Sequence, residues 1–273
     1  MLDLRNQGVS VTPWHARRLE RWCQSPTTRI PDASAAAEIV QRVGVATLFP
    51  VTPELPNLYH AHTGDPTAKP EAKWDSPAGN VYTWRWALGR PGVACYTALV
   101  LGRPTWVSWE LLPAVLRLRD ALRAPAELHA AGELSASAYR ITQVLADCGG
   151  VLSTGDLRTL AGFPTGKAER AAYLKAVAEL DRRLLLAKDF AAEDDDMRHA
   201  LIHVRYPQHV AAAEELSPPA ALDRFLMTYL PHAVYARSGT LAKGLTLLEA
   251  DVQAGLQRLV AAGAAVHRSY MGP

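Results

Sequence analysis

The chain lacks the strings that announce several common catalytic chemistries. It contains no G-x-x-x-x-G-K-[ST] and no G-x-G-x-x-G, so neither a phosphate-cradling loop nor a dinucleotide fold has support. It contains no G-x-S-x-G, the strained turn that exposes a nucleophilic serine. Cysteine is scarce. Cys23, Cys95 and Cys148 are odd in number and far apart, which argues against a disulfide framework or a cysteine-rich zinc site and suits a reducing cytoplasm. Long apolar runs are also missing, each being broken by Arg, Asp, Gly or Pro well before the roughly 18 residues that a membrane helix needs. The N-terminal MLDLRNQGVSVTPWHARRL has no apolar stretch of the kind a secretory leader carries. No cofactor motif, membrane partner or metal site is therefore expected.

What is present is a globular composition. The 273 residues are 49% apolar and 21% charged, enough to bury one large core or two to three small ones. The net charge of +2 conceals an uneven layout. Residues 69–125 hold eight Lys/Arg against four Asp/Glu, residues 191–223 hold two against seven, and residues 224–273 hold five against two. Basic blocks are thus separated by an acidic, hinge-like stretch. The layout reads either as ordinary surface charge or as that of a DNA-binding protein, which would place the basic blocks on one face and keep the acidic segment away from phosphate.

The second half repeats a pattern. In residues 137–190 a helix over Ser137–Cys148 ends at Gly149-Gly150, and Val151-Leu152 forms a short apolar β step. Ser153 and Asp156 make a capping-box variant that opens a second helix, stopped at Gly162. Phe163-Pro164-Thr165 is the turn into a third helix over Lys167–Arg183, whose apolar positions are read as Ala171, Leu174, Val177 or Ala178, and Leu180-Leu184. Leu184–Phe190 reads as a wing strand. Residues 219–270 run similarly: a helix over Ala220–Tyr229 after Ser217, a Gly-rich loop with Arg237 and Lys243, and an amphipathic helix over Leu248–Ala262. Val252, Leu256, Leu259 and Val260 of that helix point inward, and a final strand follows over Ala265–Tyr270. Each unit has the size of a winged helix-turn-helix, a module that seats one helix in a DNA groove. The candidate DNA contacts are Lys167, Arg170, Lys175, Arg182 and Arg183 on the third helix, together with Arg237 and Lys243. The rival reading is a solvated helix face with Glu169, Glu179 and Asp181 interleaved, and winged helices also serve as protein-docking or regulatory modules.

The first half is built differently, since all seven tryptophans lie in the first 109 residues. Thr12-Pro13 starts one helix and Ser34 caps another that Gly44 closes. Six prolines from Pro50 to Pro77 make the next stretch irregular. The alternating aromatics of Tyr82-Thr83-Trp84-Arg85-Trp86 read as a strand with one aromatic face, either core or a stacking platform for a base. Arg85 within it joins the candidate DNA contacts. Ser108 is placed to cap the helix that follows. His199 and His203, four apart, have a spacing that binds metal on one helix face, but no H-E-x-x-H surrounds them, and His60 and His62 are equally weak as ligands.

The order of LYHAH, VYTWRWAL, WVSWELLPAVLRLR and GGVLSTGDLRTLAGF resembles the AlkZ/YcaQ group of bacterial winged-helix DNA glycosylases over most of the chain. The resemblance implies tandem winged helices with a concave, basic surface for double-stranded DNA. That group carries a catalytic Gln-x-Gln or Gln-x-Asp after the second helix of its first unit. The matching stretch here is Val43–Phe49, which places Thr47 and Phe49 at the two catalytic positions. Neither can polarise a water as a carboxylate or paired amide does, so the resemblance implies DNA binding and leaves glycosylase chemistry without its residues. Glu54 and Asp75 are nearby carboxylates that nothing in the sequence selects.

The expectation is a mainly α, α+β chain of tandem winged helix-turn-helix modules. An N-terminal unit covers residues 1–130, a second winged helix 131–195, and an acidic linker with a third winged helix 196–273. The expected role is duplex DNA binding in repair or the damage response, in the cytoplasm at the nucleoid. An active glycosylase for alkylated or crosslinked bases is one alternative, and a transcription-regulator or docking module is the other.

Overall fold

Among the described residues, six short strands run through one antiparallel sheet that both halves of the chain help to build. The structure, a computed structural model, describes residues 13–163, 165–192 and 195–267. Helix α1 spans Pro13–Arg21; its expected cap, Thr12, lies outside the described residues. Helix α2 spans Ala33–Val43 and begins earlier than expected, because Asp32 rather than Ser34 caps it by accepting from the Ala35 amide at 3.0 Å. Gly44 ends it at φ 79°, where a Cβ would stand 2.8 Å from Leu111 Cδ2, so both backbone sign and space demand glycine. Strand β1, Val45–Thr47, follows.

The proline-rich stretch is less irregular than expected. Helix α3, Leu58–Thr63, forms in the gap between Pro56 and Pro66, with Asn57 Oδ1 accepting from the His60 amide at 2.8 Å. The expected strand over Tyr82–Trp86 is instead part of helix α4, Pro77–Gly89. Ser76 caps that helix with Pro77 in its first turn, and Val81, Trp84, Arg85 and Leu88 are the buried face. An aromatic at every second position satisfies a strand, but here Tyr82 and Trp86, four apart, share the outer side of a helix. Strands β2, Cys95–Val100, and β3, Arg103–Val107, form a hairpin. Its two-residue turn, Leu101-Gly102, has positive φ at both positions (49° and 71°), which matches the twist of the strands. Ser108 Oγ accepts from the Leu111 amide at 3.3 Å ahead of helix α5, Leu112–Leu118.

Helix α6, Pro125–Ala130, leads to α7, Ala136–Asp147, strand β4, Val151–Leu152, helix α8, Thr154–Leu160, and helix α9, Lys167–Arg182. The expected turn between α8 and α9 includes Pro164, which lies outside the described residues. Strands β5, Leu186–Phe190, and β6, Met197–Leu201, pair antiparallel. The acidic stretch is thus no simple hinge, since β6 within it sits between β5 and β4. Helices α10, Ile202–Arg205, α11, Pro207–Glu214, α12, Pro218–Ala233, α13, Ser238–Leu245, and α14, Glu249–Ala261, complete the chain. Residues 265–267 form no strand, and residues 268–270 of the expected final strand lie outside the described residues.

The sheet order is β1-β3-β2-β5-β6-β4, with Tyr96 opposite Lys188 where β2 meets β5. Two cores flank it. The larger combines Trp22, Ile39, Leu88 and Trp106 with Leu222, Phe225, Leu226 and Val252, so α12 and α14 pack with the N-terminal half. The smaller gathers Ile141, Leu145, Leu157, Tyr173 and Leu180 from α7, α8 and α9. Burying one such large apolar side chain contributes about 1.5–3 kcal/mol.

Candidate nucleic-acid interface

Helix α9 is positioned by short-range caps and by one apolar stripe. Ser153 Oγ accepts from the Asp156 amide at 3.0 Å and donates to Asp156 Oδ2 at 2.8 Å, which fixes the start of α8. Gly162, at φ 72°, turns the chain toward α9. The buried residues of α9 are Tyr173, Ala176, Val177 and Leu180. The expected inward positions Ala171 and Leu174 are exposed, Leu174 by 53%. Tyr173 belongs to this stripe, its hydroxyl 3.2 Å from His199 Nε2, so the helix is rotated from the purely aliphatic register.

That rotation decides where the charges go. Lys167, Arg170, Lys175 and Arg182 are exposed. Two of the three acids of α9 are engaged elsewhere. Glu179 accepts from the amide and hydroxyl of Ser135 at 2.8 and 2.7 Å, joining α9 to the cap of α7. Asp181 is half-buried, and burial raises its carboxyl above the usual range while the Lys188 ammonium opposes that rise. Glu169 remains in the first turn. Arg183 acts as a brace: it donates to the Glu133 carbonyl at 2.7 Å and lies 3.5 Å from Glu133 Oε2.

The other candidate contacts are distributed differently. Arg237 and Lys243 are exposed at the start and within α13, away from α9 in the chain. Helix α13 lies against the loop after β1, where a Cβ on Gly244 would meet Thr52 Cγ2 at 3.4 Å. Arg85 is 7% exposed on α4 and does not belong to the α9 face.

Thr47 and Phe49 sit at the end of β1 and just beyond it. Thr47 is buried, and its hydroxyl donates to the Phe49 carbonyl at 2.8 Å. Phe49 is half-buried, its ring 5.9 Å from that of Tyr59. The polar side chains behind them are also committed. His60 Nδ1 accepts from Asn57 Nδ2 at 3.1 Å and its Nε2 donates to the Ala68 carbonyl at 3.1 Å, while burial holds the imidazole below its ordinary pKa. Glu54 is buried against Arg18, and Asp75 is exposed.

The histidine pairs bring no metal together. His199 lies on β6 and His203 on α10, so their four-residue spacing is not a helical one, and His203 Nε2 donates to the Ala121 carbonyl at 2.7 Å. Among the described residues no group of three His, Cys, Asp or Glu is placed to hold a metal ion, and no helix is long and apolar enough to cross a membrane.

The AlkZ-related family matches residues 30–232, from just ahead of α2 into the last turn of α12. The chain belongs to that family. Its fold, α+β with a small antiparallel sheet, is similar to that of Streptomyces sahachiroi DNA glycosylase AlkZ, with a TM-score of 0.52 at 15% identity. The match covers 89% of this chain and 63% of that one, so the AlkZ-related chain spans less than two thirds of the similar structure. No curated protein matches the sequence.

One functional-looking assembly in this AlkZ-related chain escaped sequence reasoning. Arg18, Glu54 and Tyr229 come together from α1, the proline-rich loop and α12. Trp22, buried four residues after Arg18, is the local signal that Arg18 points inward, but its partner is 36 residues away.

Proposed function

We propose that this AlkZ-related chain binds duplex DNA and acts in DNA repair or the damage response, within the cytoplasm at the nucleoid. In this reading α7, β4, α8 and α9 form a helix-turn-helix, β5–β6 is its wing, and α9 is the groove-facing helix. The segment from α12 to α14 is read as a further unit of the same clamp, with Arg237 and Lys243 touching phosphate.

The observation that supports this reading best is the fate of the acids on α9. With Glu179 spent on Ser135 and Asp181 half-buried, Lys167, Arg170, Lys175 and Arg182 face solvent with Glu169 as the acid left in the first turn. A merely solvated face gains from interleaved charge, whereas a surface for phosphate gains from its removal. The family supplies the link to repair. Base excision is the weaker reading, because the motif positions hold a threonine whose hydroxyl is already bonded and a phenylalanine.

Titration of fluorescent duplex, plain and alkylated, at two salt concentrations tests both readings, with alkaline cleavage reporting abasic sites. The expected result is binding that weakens steeply with salt and no abasic product even at high protein concentration. Absence of binding at low salt would sink the DNA reading in favour of a docking module. Abasic sites on alkylated duplex would establish the glycosylase.

A further inference from the structure

Two arginines and a histidine meet where α1, α2 and α12 end, on a surface that the α9 face does not explain. Arg21 closes α1, Arg42 lies in the last turn of α2, and His232 lies in the last turn of α12. The packing of these helices brings the three together. Thr228, one turn before His232, stands so close to Gly44, the cap of α2, that a Cβ on that glycine would meet its Cγ2 at 3.0 Å. Arg42 Nη2 donates to the Arg21 carbonyl at 3.4 Å and to Cys23 Sγ at 3.3 Å, which ties the end of α2 to the end of α1. Burial, then the Arg42 and Arg21 guanidiniums, hold the His232 imidazole below its ordinary pKa, so both cations act on the ring.

The three groups are reachable and short of partners. Arg21 and Arg42 are exposed. Among the described residues the Arg21 side chain has no hydrogen bond or ion pair, and Arg42 engages Nη2 alone, which leaves Nη1 and Nε open. Glu38, four residues before Arg42 on α2, is spaced for a helical ion pair, yet Arg42 turns from it toward α1. Glu20, next to Arg21 in the chain, is exposed and pairs with neither arginine. His232 is half-buried; its Nδ1 is sealed without a partner, whereas Nε2 is not sealed.

Like charges gathered this way repel unless an anion answers them. A carboxylate meets one guanidinium fork in a plane, whereas donors arriving from three helices suit a tetrahedral oxyanion with several acceptor oxygens. We propose that Arg21, Arg42 and His232 form a site for one phosphate group, supplied by the backbone of a DNA strand. The two guanidiniums take its oxygens through charge-assisted hydrogen bonds, and His232 donates its Nε2–H to a further oxygen. Arg17, exposed one turn before Arg21 on α1, extends the positive surface, which favours a strand over an isolated anion. The choice of DNA as the source rests on the reading above; the oxyanion site itself does not, and neither depends on α9.

The test uses the full chain and two probes, inorganic phosphate and a fluorescent duplex. The His232 ring resonance, assigned by its loss in His232→Gln, is followed by NMR as phosphate replaces chloride at constant pH and ionic strength. A saturable shift is expected. Phosphate affinity falls severalfold in Arg21→Ala, which removes a side chain without a partner and leaves the fold intact by circular dichroism. On duplex, Arg21→Ala with Arg42→Ala lowers the slope of log affinity against log salt by about one, as for one neutralised phosphate. The same decrement appears in a Lys167→Ala background, because the two sites hold different phosphates. No phosphate-specific shift, or one unchanged by Arg21→Ala, overturns the site. A phosphate shift with an unaltered duplex slope overturns the strand as its source. Phosphate binding without any duplex binding overturns the DNA reading and the strand together, and leaves a site for free phosphate.

Discussion

The Arg18 guanidinium donates to Glu54 Oε2 at 3.0 Å, with the two side chains 1% and 3% exposed. Arg18 also donates to the carbonyls of Ala233 at 2.7 Å, Pro53 at 3.2 Å and Tyr235, and the Tyr229 hydroxyl donates to the Glu54 carbonyl at 2.6 Å. One buried ion pair thereby joins α1, the loop after β1 and α12. It also holds Glu54, the one buried carboxylate among the described residues, in an ion pair.

Removing one member strands the other charge in the interior. Glu54→Gln or Arg18→Leu is expected to destabilise the fold by about 3–5 kcal/mol. Urea denaturation measures this. The double replacement is expected to cost less than the sum of the singles, because the stranded charge disappears with its partner. Additive losses would show that the pair does not act as a unit.

On α9, Lys167→Ala and Arg170→Ala should each reduce the slope of log affinity against log salt by about one, uniformly across duplex sequences. Arg183→Ala should change that slope much less, because Arg183 is held by Glu133. Fluorescence anisotropy over a salt series distinguishes the two classes.

Acid should destabilise the protein through His199. The imidazole is 4% exposed; burial lowers its pKa from 6.5 to about 3, and the neighbouring Lys188 ammonium acts in the same direction. Lys188 Nζ donates to its Nδ1 at 2.9 Å, which requires the neutral ring. Below pH 6.5 the unfolded chain takes up a proton that the folded chain refuses until about pH 3. The unfolded state then holds more protons, so stability is fully present above 6.5 and falls as the pH drops through that window, by an order of a few kcal/mol. The urea midpoint should decline between pH 7 and pH 4, and His199→Gln should flatten that decline.

The register of α9 can be checked without DNA. Leu180 is fully buried and Leu174 is 53% exposed. Leu180→Ala is expected to cost about 2–5 kcal/mol through the cavity it leaves, and Leu174→Ala no more than about 0.5 kcal/mol. Similar losses at both positions would mean that the helix is rotated from the arrangement described.

Legibility followed interaction range. The path from α7 to α9 was readable because its signals are local: the Ser153–Asp156 box, the glycines at 149, 150 and 162, and the three- and four-residue apolar steps. The inward face of α9 follows the sequence at Val177 and Leu180 but not at Ala171 and Leu174, because Tyr173 is counted by its polarity in the sequence but by its ring and its His199 bond in the fold. Tyr82–Trp86 was misread as a strand because alternation outweighed the Ser76-Pro77 helix start that decides it. In the candidate site, the sequence named the cations of α9 but not which acids would leave their face.

The sequence by itself determined most caps and turns, the scarcity of cysteine and metal-ligand patterns, and the family resemblance. These depend on residues within about one or two turns of each other, or on identity alone. Only the tertiary structure decided that α12 and α14 share a core with the N-terminal half, that Tyr96 meets Lys188 across the sheet, and that Arg18 finds Glu54. Burial and pairing arise when distant surfaces exclude water together, and no local pattern states which surfaces those will be.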